Sequence, residues 1–158
     1  MTSNVLPRFG KVAIVDNKHQ EVEVVEQLLT ANGIPYVYYD YGKLINEGEI
    51  NKIDGIRLVF LDIRLEDGNE EAKNIYSVLA STIETIIGVN NGPYTIVLWT
   101  NEYQLKDEVE DFLMKRLSDE DTTRPTYICA LDKKDFLEKP ESLFGRVNDE
   151  LNKNRPLE

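Results

Sequence analysis

Five short apolar runs recur along the chain, and a polar residue follows each of them. Most of the runs are continuously apolar, with no alternation of apolar and polar positions. Continuous runs of this kind are typical of strands buried on both faces, as in a parallel sheet. The second run is rich in tyrosine, which favours a place nearer the edge of the sheet. The runs are Val12–Val15, Tyr36–Tyr39, Leu58–Leu61, Ile96–Trp99 and Tyr127–Leu131.

Helical spacing fills the segments between the runs. Apolar residues recur three and four positions apart after the first, third, fourth and fifth runs, as on one face of a helix. Asn32-Gly33 ends the first of these helices. After the second run, Leu44, Ile45 and Ile50 predict only one short, irregular helix. The apolar positions of the four clearer helices are Val22, Val25, Leu28 and Leu29; Ala72, Ile75, Leu79, Ile83 and Ile86; Leu105, Val109, Phe112, Leu113 and Leu117; and Leu143, Phe144, Val147 and Leu151.

The resulting order is a strand followed by a helix, repeated five times. This order predicts an open parallel sheet with helices on both faces and right-handed crossovers. Five strands at this length favour the flavodoxin-like α/β fold, a (βα)5 three-layer sandwich with strand order 2-1-3-4-5. We expect one domain over residues 10–152, flanked by an N-terminal tail (1–9) and a C-terminal tail (153–158). Leu157-Glu158 resembles residues left by cloning. On that interpretation, we expect the natural chain to continue.

The charge balance narrows the expected partners. The 158 residues include 29 Asp and Glu against 18 Lys and Arg, a net charge of −11. Such a surface repels phosphate backbones and anionic lipids, so we expect no direct nucleic-acid or membrane binding. Residues 1–9 lack the apolar core of a signal peptide, and no run approaches the roughly 20 apolar residues that cross a bilayer. We therefore expect a cytoplasmic protein.

The polar residues that end the strands form a chemically coherent set. With strand order 2-1-3-4-5, Asp16 and Asp62 become neighbours where the order reverses, and Thr100 and Lys133 flank them. Clustered carboxylates repel one another unless a cation joins them, and oxygen donors favour Mg²⁺. A carboxylate can form an aspartyl-phosphate, whose oxygens a hydroxyl and an ammonium can bind. One such residue alone would more often be merely solvated, but the four in this order favour a site.

Three of these segments resemble the receiver domain of two-component response regulators, over roughly residues 11–150. The resemblance implies that Asp62 is the phosphoacceptor and that Thr100 is the switch hydroxyl. It also implies a Mg²⁺ site made by Asp16, Asn17, Asp62 and the backbone carbonyl of Arg64. The three segments are Val12–Asn17, Leu58–Asp62 and Ile96–Thr100.

The site lysine has two candidates. The family usually has Lys-Pro after its fifth strand, whereas residues 131–136 read Leu-Asp-Lys-Lys-Asp-Phe. We favour Lys133, and Lys134 stays open because Lys134-Asp135-Phe136 matches Lys-Pro-Phe in spacing. Asn17 replaces the second acid of the family, which predicts weaker Mg²⁺ binding. Ala130 or Leu131 stands where the family often has an aromatic switch residue.

The resemblance implies phosphorelay signalling with at most self-catalysed phosphotransfer. The expected donor is a sensor histidine kinase or a phosphotransfer protein, and the expected receiver of the signal is a downstream effector protein or a fused output domain. The alternative is a pseudo-receiver that is never phosphorylated and acts as a protein-interaction module, which Asn17 and the missing aromatic favour. A small hydrolase is disfavoured because Arg64, not an acid, lies two residues after Asp62. We expect Glu21, Glu23 and Glu26 to form a solvated helix face.

Overall fold

Strands and helices alternate along the chain, as the apolar runs predict. The computed structural model describes residues 11–16, 18–47, 53–65, 72–117, 124–134, 145–147 and 149. A short 3-10 turn, Tyr103–Leu105, leads into the helix that follows the fourth strand. The strands are β1 (Lys11–Asp16), β2 (Tyr36–Asp40), β3 (Ile56–Leu61), β4 (Thr95–Thr100) and β5 (Tyr127–Asp132). The helices are α1 (His19–Ala31), α2 (Tyr41–Glu47), α3 (Ala72–Ile86) and α4 (Lys106–Arg116).

The five strands form one parallel sheet in the order β2-β1-β3-β4-β5. This confirms the predicted flavodoxin-like arrangement, with tyrosine-rich β2 at an edge. Val15 of β1 pairs with Leu61 of β3. The N–H of Asp62 donates to the carbonyl of Val15 at 3.1 Å. The ends of β1 and β3 are therefore level, where the strand order reverses.

Two apolar clusters cover the two faces of the sheet, because successive strand side chains point to opposite sides. On one side, Val59 and Leu98 pack with Leu79 and Ile83 of α3 and with residues of α4. The other side packs against α1, and its members are Val12, Ile14, Val22, Val25, Leu29, Leu58, Phe60, Val97, Trp99, Cys129, Leu131 and Val147. Burial on both sides explains why the strands are continuously apolar.

Helix α1 ends at the predicted stop signal. Gly33 has a φ of +68°, a left-handed conformation that a side chain would strain. The N–H of Ile34 then reaches back to the carbonyl of Leu29 at 2.9 Å. The side chain of Asn32 donates to the carbonyl of Leu28 at 2.8 Å. These bonds satisfy the last carbonyls of the helix and turn the chain into β2.

The predicted fifth helix falls largely outside the described residues. Residues 145–147 have a helical backbone, and Val147 is fully buried in the cluster that packs on α1. The predicted tails, residues 1–9 and 153–158, are also outside the described part. In the ranges that the structure describes, no helix is long and apolar enough to cross a membrane.

Candidate functional site

Four polar side chains gather at the carboxyl edge of the sheet, each at or just beyond the end of a strand. All four are buried, with at most 6% of any one residue exposed. A buried ammonium or carboxylate is unfavourable unless it is paired, so such a group calls for close partners. The four are Asp16 at the end of β1, Asp62 after β3, Thr100 at the end of β4 and Lys133 after β5.

Lys133 makes ion pairs with the carboxylates at this edge of the sheet. Its Nζ lies 3.0 Å from Oδ2 of Asp16 and 3.1 Å from Oδ2 of Asp62. The same Nζ contacts the carboxylate of Glu21. Lys134, the other candidate, is exposed and donates its backbone N–H to Asp132. Of the two lysines, Lys133 is thus the one placed to meet a ligand at Asp62.

Each aspartate has one oxygen held by the loop that follows its strand. Oδ1 of Asp16 accepts the N–H of Lys18 at 2.9 Å, in the turn that leads into α1. Oδ1 of Asp62 accepts the N–H of Arg64 at 3.3 Å. The second oxygen of each carboxylate is the one that faces Lys133. Backbone bonds therefore fix the orientation of both acids before any ligand arrives.

A second set of contacts ties the loop after β3 to the loop after β4. The Arg64 side chain makes a two-pronged ion pair with Glu102, in which Nη2 donates to Oε1 at 3.0 Å and Nε donates to Oε2. The backbone N–H of Glu102 donates to Oγ1 of Thr100 at 2.8 Å. The position of Thr100 is thereby linked, through Glu102, to the loop that carries Asp62.

The charges of the site act on one another. Burial raises the pKa of Asp62 to about 7; Lys133 opposes the rise, and the charge of Asp16 adds to it. Burial alone would lower the pKa of Lys133, but the carboxylates of Asp62, Asp16 and Glu21 outweigh it, so that pKa is raised. The ammonium is thus strongly favoured, whereas Asp62 gains a proton more easily than an ordinary aspartate.

Glu21 is the site residue that sequence reasoning missed. We expected it on a solvated helix face, but its side chain is 18% exposed and contacts Lys133. Glu23, two residues later, is 57% exposed and agrees with that expectation. Glu26 is 20% exposed, and its Oε1 accepts a hydrogen bond from Nε2 of His19 at 2.9 Å. Charge spacing along a helix does not reveal which acid meets a lysine more than 100 residues later.

The acidic edge suits a hard cation. Asp16 and Asp62 direct one oxygen each at the same point, which Lys133 Nζ now neighbours. Mg²⁺ usually takes one or two protein carboxylates and keeps several waters, so this donor pair fits it. Within the described residues, no group of three or more His, Cys, Asp and Glu is placed to hold a metal ion. Asn17, an expected ligand, lies outside those residues, and the carbonyl of Arg64 stays a predicted ligand.

Comparison with solved structures finds similar folds at low identity. A response regulator from Clostridium difficile is 18% identical, with a TM-score of 0.47 over 88% of this chain and 98% of that one. The non-phosphorylated HemR receiver domain from Leptospira biflexa is 14% identical, with a TM-score of 0.48 over 94% and 99%. A CheY-like receiver domain protein from Methanospirillum hungatei is 17% identical, with a TM-score of 0.45 over 89% and 98%.

No protein-family model and no curated protein matches the sequence. The solved structures resemble this chain too distantly to carry an argument about its activity. The fold assignment therefore rests on the strand order of the chain itself, and the functional argument rests on the residues at the carboxyl edge of its sheet.

Proposed function

We propose that this chain is a receiver domain that accepts a phosphoryl group on Asp62 in phosphorelay signalling. The observation that carries the proposal is the position of the Asp62 carboxylate, buried at the end of β3 and 3.1 Å from the ammonium of Lys133. The same ammonium lies 3.0 Å from Asp16, the acid that ends the neighbouring strand. A nucleophile, a fixed positive charge and a second acid thus share one small volume.

The proposed step is a displacement at phosphorus. A carboxylate oxygen of Asp62 forms a bond to the phosphorus atom of the donor. The bond between phosphorus and the leaving group, a histidine nitrogen or an acetate oxygen, breaks, and the leaving group keeps the electron pair. Asp62 must be ionised to attack, and the nearby ammonium of Lys133 favours that form against the effect of burial.

The remaining side chains stabilise the negative charge of the transferred group. Lys133 supplies a point charge beside the carboxylate that is modified. The hydroxyl of Thr100 already accepts a bond from Glu102, so its own hydrogen is the part that can donate to a phosphoryl oxygen. A bound Mg²⁺, held by Asp16, Asp62 and the carbonyl of Arg64, would neutralise phosphoryl oxygens.

The proposed partners follow from this chemistry. The donor is a phosphohistidine, carried by a sensor histidine kinase or a phosphotransfer protein. The output is a downstream effector protein or a fused domain that responds to the state of Thr100 and the loop tied to it. The net charge of −11 favours partner surfaces that are basic.

The test is to incubate the protein with Mg²⁺ and acetyl phosphate and to measure its intact mass. We expect the mass of one phosphoryl group to be added to the wild type and none to Asp62→Asn. Asp40→Asn is the matched control, because Asp40 ends the edge strand β2 and should leave the modification unchanged. Beryllofluoride with Mg²⁺ should raise the unfolding temperature of the wild type and of Asp40→Asn but not that of Asp62→Asn.

One observation favours an interaction module that is never phosphorylated. Lys133 already has three carboxylate neighbours, Asp16, Glu21 and Asp62, so the acidic edge is closed by internal ion pairs. On this alternative, neither acetyl phosphate nor beryllofluoride changes the wild type, and Asp62→Asn behaves identically. That result would replace the phosphoacceptor proposal with the module.

A further inference from the structure

Glu21 brings a third carboxylate to Lys133 from the first turn of α1. Its carboxylate contacts Nζ of Lys133, a side chain that is only 1% exposed. The contact is a largely buried ion pair between opposite charges. Glu21 lies four residues before Val25, which is buried against the sheet, and residues at this spacing share one helix face. The fold of α1 therefore directs Glu21 toward the sheet.

The number of acids around Lys133 matches what an ammonium can bind. An ammonium has three N–H donors, and it is surrounded by Asp16, Glu21 and Asp62. Three carboxylates and one ammonium leave two negative charges uncompensated. A divalent cation would supply that balance, which agrees with the donor chemistry of Asp16 and Asp62.

A cation bound by Asp16 and Asp62 would change the electrostatic surroundings of Lys133. The two carboxylates would then bind the cation and attract the ammonium less, and the cation itself would repel the ammonium. Glu21 is not placed with the two aspartates as a third ligand, since no such group of three occurs among the described residues. It is therefore the carboxylate that continues to attract Lys133 when the cation is bound.

We infer that Glu21 is a positioning residue, which holds the ammonium of Lys133 beside Asp62 when a cation and a phosphoryl group occupy the site. The inference rests on the proposed function and assigns a residue to it. Glu21 touches neither phosphoryl group nor cation and acts only through Lys133.

The test compares Glu21→Gln with Glu23→Gln, the same substitution two residues later on an exposed side chain. Trp99, the single tryptophan, is buried next to Thr100 and supplies a fluorescence signal for both titrations. With saturating Mg²⁺, we expect Glu21→Gln to weaken beryllofluoride binding about tenfold, because a charge-assisted contact to Lys133 is lost. The Kd for Mg²⁺ should rise as well, because one negative charge is removed close to the cation, so the proteins are compared at saturating Mg²⁺ in the beryllofluoride titration. Glu23→Gln should match the wild type in both titrations.

A spectroscopic measurement separates positioning from a loss of stability. The buried ammonium of Lys133 should give a slowly exchanging ¹⁵N–¹H signal in the wild type, both without and with Mg²⁺. In Glu21→Gln we expect the signal to vanish when Mg²⁺ is added and to survive without it. A residue with a merely structural role would not link the signal to Mg²⁺.

The outcomes distinguish the inference from the function on which it rests. If the wild type and Glu21→Gln bind beryllofluoride equally tightly, Glu21 does not position Lys133, and the phosphoacceptor proposal stands. If Mg²⁺ removes the ammonium signal from the wild type as well, Glu21 does not hold Lys133 and the inference fails. If the wild type binds no beryllofluoride at all, the proposed function fails and the inference fails with it.

Discussion

Asp62 must satisfy two opposing demands, burial and charge. Only 6% of the residue is exposed, and burial disfavours the ionised form that a nucleophile needs. Lys133 offsets part of that cost at 3.1 Å, while the charge of Asp16 adds to it. A carboxylate held in this way is costly to the folded state, and carboxyl groups with a perturbed pKa are common at functional sites.

The raised pKa of Asp62 predicts a pH-dependent cost to stability. Its pKa is about 7 in the folded chain against an ordinary value of 3.8, so the folded state binds the proton that the unfolded state has released. The free energy of unfolding therefore falls, through this group, as the pH rises from about 4 to about 7. Asp62→Asn removes this titrating group. In metal-free buffer, its free energy of unfolding relative to that of the wild type should therefore rise by about 1–2 kcal/mol between pH 5 and pH 8.

Urea unfolding at both pH values, with a chelator present, measures that difference. Asp54→Asn is the control, because Asp54 is an exposed aspartate and should shift the wild-type profile very little. If the difference in the free energy of unfolding between Asp62→Asn and the wild type is the same at pH 5 and pH 8, the carboxyl of Asp62 does not titrate in this window.

Single residues differ in how far sequence predicts them. Asp16, Asp62 and Thr100 could be placed because they follow apolar runs, and the ends of parallel strands meet at one edge. The position of Lys133 needed the structure, since Lys134 satisfies the same spacing argument. Glu21 could not be found at all, because its role depends on which face of α1 meets the sheet at the height of Lys133.

At the scale of elements, hydrogen bonds hold the loop between α3 and β4 against β3, at the edge of the sheet opposite the candidate site. Asn91 is 1% exposed, and its side chain pairs with the backbone of Ile56 like a neighbouring strand residue. Oδ1 accepts the N–H of Ile56 at 2.8 Å, and Nδ2 donates to its carbonyl at 2.9 Å. Arg57 closes the loop by donating to the carbonyls of Asn91 and Pro93 at 2.6 and 3.1 Å. Gly92 takes a φ of +85° between them.

Asn91→Ala should destabilise the fold without touching the chemistry of the site. The substitution leaves the buried N–H of Ile56 without this acceptor, which costs about 1–3 kcal/mol, whereas the carbonyl of Ile56 still accepts a bond from Nη1 of Arg57 at 3.0 Å. We expect the free energy of unfolding to fall by about 2 kcal/mol in urea titrations. Asn90→Ala, an exposed neighbour of the same type, should cost less than about 0.5 kcal/mol. Equal effects of the two substitutions would show that the side-chain pairing with Ile56 does not stabilise the sheet.

The elements themselves were predictable because a strand that is buried on both faces is a continuous apolar run in the sequence. Each apolar run lies within a strand, and the helical spacing locates α1, α3 and α4. The sequence did not indicate the 3-10 turn Tyr103–Leu105, since Leu105 fits the apolar spacing of α4 equally well. The turn residues Asn90–Pro93 do not indicate that Asn91 is buried, because turn residues do not say where a turn packs.

For the whole molecule, the net charge of −11 makes any response to cations ambiguous. The charges of an acidic chain repel one another, so salts such as NaCl and MgCl₂ stabilise it by screening, whether or not an ion binds to a site. Binding to the folded state adds a different contribution, RT ln(1 + [L]/Kd), which continues to rise with concentration once screening is held constant. The two contributions can therefore be separated by matching ionic strength.

The last prediction uses that separation. At constant ionic strength, replacing NaCl with MgCl₂ should stabilise the wild type by about 1.4 kcal/mol when Mg²⁺ is ten times its Kd. Asp62→Asn should gain much less, because it loses one of the two carboxylates that converge on the site. Glu23→Gln, which removes one charge from an exposed position, should respond like the wild type and so controls for net charge. Thermal unfolding at several Mg²⁺ concentrations measures all three proteins. If the three gain equally, Mg²⁺ acts by its general effect on an acidic surface, and the two aspartates do not form a metal site.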